Sequence, residues 1–212
     1  MPREIDIVQT LKKSLLIAAW VAGCVSGIGQ AQAQEWTVDA VMDALRGLQY
    51  AKASFNEIRH STFLVEPIKL NGNFVYKAPR TFIKETYKPF PEIVTVDENG
   101  VKIEQEKEAQ EGQSRTQFIA ADAHPLVKGL VDSAEATMSG KKELLEARYD
   151  LEISGTEERW TVKLTPKEEA LRKKLDSLYF EGSGDLIDRA EIRETDGDWS
   201  VINLEYLKVE RN

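Results

Sequence analysis

The stretch Leu70–Gln105, LNGNFVYKAPRTFIKETYKPFPEIVTVDENGVKIEQ, constrains the fold of this chain more than any other. Four runs rich in Phe, Tyr, Val, Ile and Thr, around 70–77, 81–88, 92–97 and 101–105, are separated by Ala78-Pro79, Pro89-Phe90-Pro91 and Asn99-Gly100. β-branched and aromatic residues suit a pleated, half-buried surface, while proline interrupts a ladder, so the pattern predicts an antiparallel meander. Asn99-Gly100 is its best-determined turn, because both residues tolerate the positive φ of a two-residue type I′ hairpin. One face of such a sheet is apolar and needs a cover.

The flanking segments supply strands and a cover. Thr37 is placed to cap a helix with Asp39 in its first turn and Val38, Val41, Met42, Leu45 and Leu48 on one face. Ala51 to Val65 alternates loosely through Phe55, Ile58 and Phe63 and reads as a long first strand that bends before Pro67 and pairs beside the meander. Glu104 to Arg115 carries four glutamates and no large apolar residue, which predicts a loop or frayed strand end. A second helix begins at Asp122 or His124, with Pro125 in its first turn, an apolar stripe through Leu126, Val127, Leu130, Val131, Ala134 and Met138, and Gly140 as its stop.

Strand-forming runs return at Leu144–Ser154, Glu158–Leu164, Ser177–Gly182, Leu186–Glu194 and Trp199–Val209. Between two of them, Thr165-Pro166-Lys167-Glu168 fits a capping box that opens a short helix through Leu175. The total is nine or ten antiparallel strands and two or three helices without internal repeats. That predicts an α+β fold: one long, strongly curved antiparallel sheet, an incomplete β-barrel or half-barrel, with helices covering its concave face.

Charge and the N-terminus limit the function classes. A chain of 212 residues with a formal charge of −8 suits one domain and lacks the basic face that a nucleic-acid partner requires. Lys12-Lys13, the apolar run LLIAAWVAGCVSGIG and Ala31-Gln32-Ala33 read as a signal peptide over residues 1–33, leaving a single domain over 34–212 and a periplasmic destination. Val21-Ala22-Gly23-Cys24 offers a second reading, a lipobox in which Cys24 is lipidated. Cys24 is the only cysteine, so removal of the leader leaves no disulfide, thiol or zinc-thiolate chemistry.

No GxSxG, glycine-rich phosphate loop or HExxH is present, and His60 and His124 stand in no metal-ligand spacing. The expectation is a protein that is not an enzyme, with no cofactor and no metal.

The order helix, Ala53-Ser54-Phe55, strand, Leu70-Asn71-Gly72-Asn73-Phe74, Val75-Tyr76-Lys77-Ala78-Pro79, Val94-Thr95-Val96-Asp97 followed by Asn-Gly, and later Leu164-Thr165-Pro166-Lys167 resembles the LolA family of periplasmic outer-membrane lipoprotein carriers. The resemblance covers nearly the whole chain after the leader. Alternating Phe74, Tyr76, Phe82, Ile83, Tyr87, Ile93 and Val96 would, by themselves, read as packed core. The resemblance makes these residues, with Leu126, Leu130 and Met138 of the second helix, the lining of a cavity that takes up acyl chains.

It also implies a lipoprotein or other lipid as cargo, inner-membrane release machinery, an outer-membrane acceptor and a monomeric carrier. The alternative is a membrane-anchored, LolB-like acceptor lipidated on Cys24. In the LolA family an arginine before the proline of the first meander turn latches the lid; here that position is Ala78, and Arg80, beyond Pro79, is the candidate to replace it.

Overall fold

The computed structural model describes residues 36–106, 114–121, 123 and 141–211. The leader with Cys24, His124 and the second helix with Leu126, Leu130 and Met138 lie outside the described residues. Helix α1 spans Val38–Leu45, and Thr37 caps it as the sequence predicts, its hydroxyl oxygen accepting from the Ala40 amide at 3.2 Å. Val41, Met42 and Leu45 are buried, while Leu48 leaves the helix and begins the first strand.

Eleven strands follow among the described residues. They are β1 Leu48–His60, β2 Ile68–Lys77, β3 Thr81–Lys88, β4 Glu92–Asp97, β5 Gly100–Glu106, β6 Ser114–Ala120, β7 Tyr149–Thr156, β8 Arg159–Pro166, β9 Leu175–Ser183, β10 Leu186–Glu194 and β11 Trp199–Arg211. Two short helices, α2 Lys142–Glu146 and α3 Glu169–Arg172, sit between β6 and β7 and between β8 and β9.

All strands form one sheet in the order β6-β5-β4-β3-β2-β1-β11-β10-β9-β8-β7. It consists of two meanders running outward from a central seam, where β1 pairs antiparallel with β11 from Leu48 opposite Arg211 to His60 opposite Trp199. Buried residues of both meanders and α1 belong to a single hydrophobic cluster, so the sheet curves around a shared core. β6 and β7 remain its two ends, which makes the fold an unclosed, curved antiparallel half-barrel of the α+β class.

Several local expectations are corrected. Asp97 pairs directly with Gly100, so the hairpin's two loop residues are Glu98 and Asn99, and Gly100 opens β5. The turn is held by the Asp97 carboxylate, which accepts from the Asn99 amide at 2.8 Å and the Gly100 amide at 3.3 Å. Gly100 is required by its neighbour: its φ is 144°, and a Cβ there would lie 2.1 Å from the Ile119 carbonyl oxygen of β6. β6 itself occupies residues for which the sequence predicted no strand. It is an end strand held by backbone pairing to β5, with Phe118 exposed, so it lacks the alternation that burial imposes.

The expected strand start at Leu144 is instead helix α2, and the first strand runs Leu48–His60, starting before Ala51 and ending before the predicted Val65. The capping box does not form, because Thr165 and Pro166 complete β8 opposite Tyr149 and Asp150. Glu168 occupies the N-cap of α3 without a side-chain bond.

Candidate ligand-binding face

Strand parity sorts the meander into two faces. Phe55 on β1, Phe74 and Tyr76 on β2, Phe82 on β3, and Val94 and Val96 on β4 are all buried on the concave side. The rings pack in pairs, Phe55 with Phe74 and Tyr76 with Phe82, each with centroids 5.0 Å apart. Phe55 lies across the chain from Gly72. A Cβ on Gly72 would meet the Phe55 ring at 2.8 Å and the Glu85 carbonyl oxygen at 1.8 Å, so the glycine is what lets the ring lie flat on the sheet. The Tyr76 hydroxyl donates to the Pro79 carbonyl at 3.4 Å, and burial pushes its ionisation up to about 12.

The other predicted lining residues of the meander do not join that row. Ile83, Tyr87 and Ile93 sit at the opposite parity, with Tyr87 50% and Ile93 41% exposed. Phe82 and Ile83 are adjacent in a strand and must point to opposite faces, so one apolar row cannot contain both. The Tyr87 hydroxyl instead accepts from Asn73 Nδ2 at 2.6 Å and donates to Glu85 Oε2 at 3.2 Å on the convex side.

A charged cluster interrupts the apolar row. Glu57 and Lys84 are 1% and 2% exposed, and the Lys84 ammonium donates to Glu57 Oε2 at 2.6 Å. Glu57 Oε1 accepts from Arg59 Nε at 2.8 Å and from the Ser200 hydroxyl at 2.7 Å. The Lys84 nitrogen also lies 4.9 Å from the centre of the Phe55 ring and 5.7 Å from that of Phe74.

Burial by itself would push the Glu57 carboxyl up. Lys84 and Arg59, with the hydrogen bonds from Lys84 and Ser200, outweigh it and hold the group at about 2. Burial draws the Lys84 ammonium below the ordinary lysine value, opposed mainly by Glu57. A carboxylate so fully committed to donors stays ionised near neutral pH, which leaves it unsuited to exchanging a proton with a substrate there.

Sequence reading missed this cluster, yet a signal was present. Phe55-Asn56-Glu57 and Phe82-Ile83-Lys84 each place a charge at the parity of a buried aromatic, with opposite signs on the two strands.

Arg80, in the turn between β2 and β3, approaches Glu98 of the next hairpin at 3.6 Å and is 40% exposed. His60 stacks on Trp199 with ring centroids 5.6 Å apart. Among the described residues, no three His, Cys, Asp or Glu side chains gather as metal ligands would.

Residues 30–204 match the sequence profile of the family described as outer membrane lipoprotein carrier protein LolA-like. The chain belongs to that family. No curated protein sequence matches it. Solved structures similar to this LolA-like chain include the LolA superfamily protein NE2245 of Nitrosomonas europaea, at 8% identity and TM-score 0.39, covering 86% of this chain and 94% of that one.

The Pseudomonas aeruginosa MucA/MucB complex is similar at 10% identity and TM-score 0.43, covering 82% and 57%, and LprF of Mycobacterium bovis at 10% and 0.35, covering 82% and 93%. At these scores the family match carries the assignment. No described helix is long and apolar enough to cross a membrane.

Proposed function

We propose that this LolA-like chain is a periplasmic carrier that takes the acyl chains of a lipoprotein, or of another lipid, against the concave face and passes them toward the outer membrane. The observation that carries the reading is membership of a lipoprotein-carrier family over residues 30–204. The buried apolar row Phe74, Tyr76, Phe82 and Val96 supports it, since a methylene moved from water into such surroundings gains about 0.8 kcal/mol. Leu126, Leu130 and Met138 complete the lining in this proposal, whereas the outward Ile83, Tyr87 and Ile93 take no part.

Release at the inner membrane and delivery to an outer-membrane acceptor are the partner steps this reading requires. It involves binding and transfer without bond cleavage, so neither a cofactor nor a catalytic residue enters. Arg80 is the proposed latch. Arg80→Leu is expected to leave the fold intact and change the rate of ligand release, whereas Lys77→Leu changes little.

The test is native mass spectrometry and lipidomics on protein purified without detergent, together with uptake of a fluorescent fatty acid. A co-purified acylated molecule is expected; no bound lipid and no uptake would leave a ligand-free scaffold. The Val21-Ala22-Gly23-Cys24 motif favours a second reading, the anchored acceptor. Mass spectrometry separates the two: a free terminus near Gln34 fits the carrier, and an acylated Cys24 fits the acceptor.

A further inference from the structure

Strand register grades the concave face of the first meander from apolar to polar. Tyr76, Phe82, Val96 and Val101 stand opposite one another across β2 to β5 and make a wholly apolar row. Two residues along each strand, about 7 Å away, the next row of the same face is Phe74, Lys84, Val94 and Ile103. The row beyond it is Gly72, Thr86, Glu92 and Gln105, where Gln105 Nε2 donates to Glu92 Oε2 at 2.6 Å. Lys84 therefore stands at the boundary between the apolar and the polar part of the face.

The donors of Lys84 are not used up by its neighbours. One N–H of the ammonium goes to Glu57 Oε2, and among the described residues no other oxygen accepts from it. The faces of Phe55 and Phe74, with centres 4.9 and 5.7 Å away, are weaker acceptors than an oxygen. With 2% of the residue exposed, the remaining donors are buried, where an N–H without an oxygen partner is costly.

We propose, resting on the carrier reading above, that Lys84 donates to the carbonyl oxygen of an acyl cargo and thereby sets its direction. The methyl end lies over Tyr76, Phe82 and Val96, and the carbonyl meets Lys84. The headgroup continues past Thr86 and Glu92, toward the end of the half-barrel where β1 and β3 finish.

The charges that act on Lys84 are Glu57, Glu92 and Arg59, so the four groups hold two anions against two cations. Such a site asks for an oxygen acceptor and not for an anion, which a neutral ester supplies as well as a free acid does. A chain without a carbonyl gains only the burial of its methylenes and leaves the donors unmet, so Lys84 selects acyl chains over plain hydrocarbon ones.

The experiment uses protein purified in its processed form from the producing cell, loaded with a fluorescent fatty acid and challenged with three competitors of one chain length. These are the free acid, its methyl ester and the matching alkyl methyl ether, which keeps the shape of the ester and lacks the carbonyl. Acid and ester should each displace the probe at least about tenfold more effectively than the ether, as one hydrogen bond from a charged donor implies. Glu57→Leu with Lys84→Met should abolish that preference, whereas a purely structural role for the pair would weaken all three competitors alike.

An ether as effective as the ester in the wild-type protein overturns the proposal while the carrier reading stands, and that comparison needs no variant to fold. An ester preference that survives in the double variant overturns it too, as does a preference for the acid alone, which would make this a site for anions. No uptake of the fluorescent fatty acid at all refutes the carrier reading and the role of Lys84 with it.

Discussion

Glu57→Leu removes from the core the carboxylate to which Lys84, Arg59 and Ser200 all donate. Lys84 is then left 2% exposed, with its ammonium against the faces of Phe55 and Phe74 and without the oxygen that stood 2.6 Å away. Taking one partner from a buried pair costs about 3–5 kcal/mol, because the remaining charge stays desolvated without compensation. For a chain of this length that is a fall in Tm of about 6–20 °C.

Lys84→Met should cost less, since Glu57 keeps the Arg59 fork and the Ser200 hydroxyl. The double variant should recover much of either loss, because leucine and methionine fill similar volumes beside Phe55 and neither member of the pair is left as an unmatched buried charge. Urea unfolding of the four proteins, read as a double-mutant cycle, is the assay. A Glu57→Leu cost below about 1 kcal/mol, or single losses that simply add in the double variant, would refute the view that this pair is a coupled buried unit.

Acid stability gives an independent reading of the same carboxylate. Its folded value, about 2, lies below the ordinary 4.5, so its contribution is present above pH 4.5 and lost as pH falls toward 2. That contribution is about 3 kcal/mol, and Glu57→Gln should flatten this part of the stability profile; equal slopes in both proteins would contradict it. Gly72→Ala should destabilise by about 2 kcal/mol or more in chemical unfolding, because its Cβ would stand 1.8 Å from the Glu85 carbonyl oxygen and against Phe55. Gly100→Ala should cost about 1–3 kcal/mol through its φ of 144° and the β6 carbonyl beside it, and wild-type stability would refute that account.

The meander was legible because its signals are local. Proline pairs and Asp97-Glu98-Asn99-Gly100 punctuate alternating runs, and β2 to β5 lie where those runs do. α2 was misread as strand although Lys142–Glu146, KELLE, consists of good helix formers; its leucines were given to the strand that follows. β6 left no trace because an end strand with an exposed Phe118 need not alternate. Among the proposed lining residues, Phe74, Tyr76, Phe82 and Val96 share one buried face of the sheet. Apolar character could not separate them from Ile83, Tyr87 and Ile93, which period-two geometry places on the other side.

By itself the sequence determined the antiparallel meander, the Thr37 cap, a curved sheet and a family of lipoprotein carriers, because each follows from neighbours along the chain or from motif order. Only the tertiary structure decided that β1 and β11 form the central seam, and that Glu57 finds Lys84 across 27 residues and Ser200 across 143. It also decided that Phe63 and Phe90 share one end of the barrel. The physical reason is common to all three. A strand offers the same backbone donors and acceptors to any partner, so its neighbour is chosen by burial over the whole sheet, and only that choice sets which charges meet and which loops lie together.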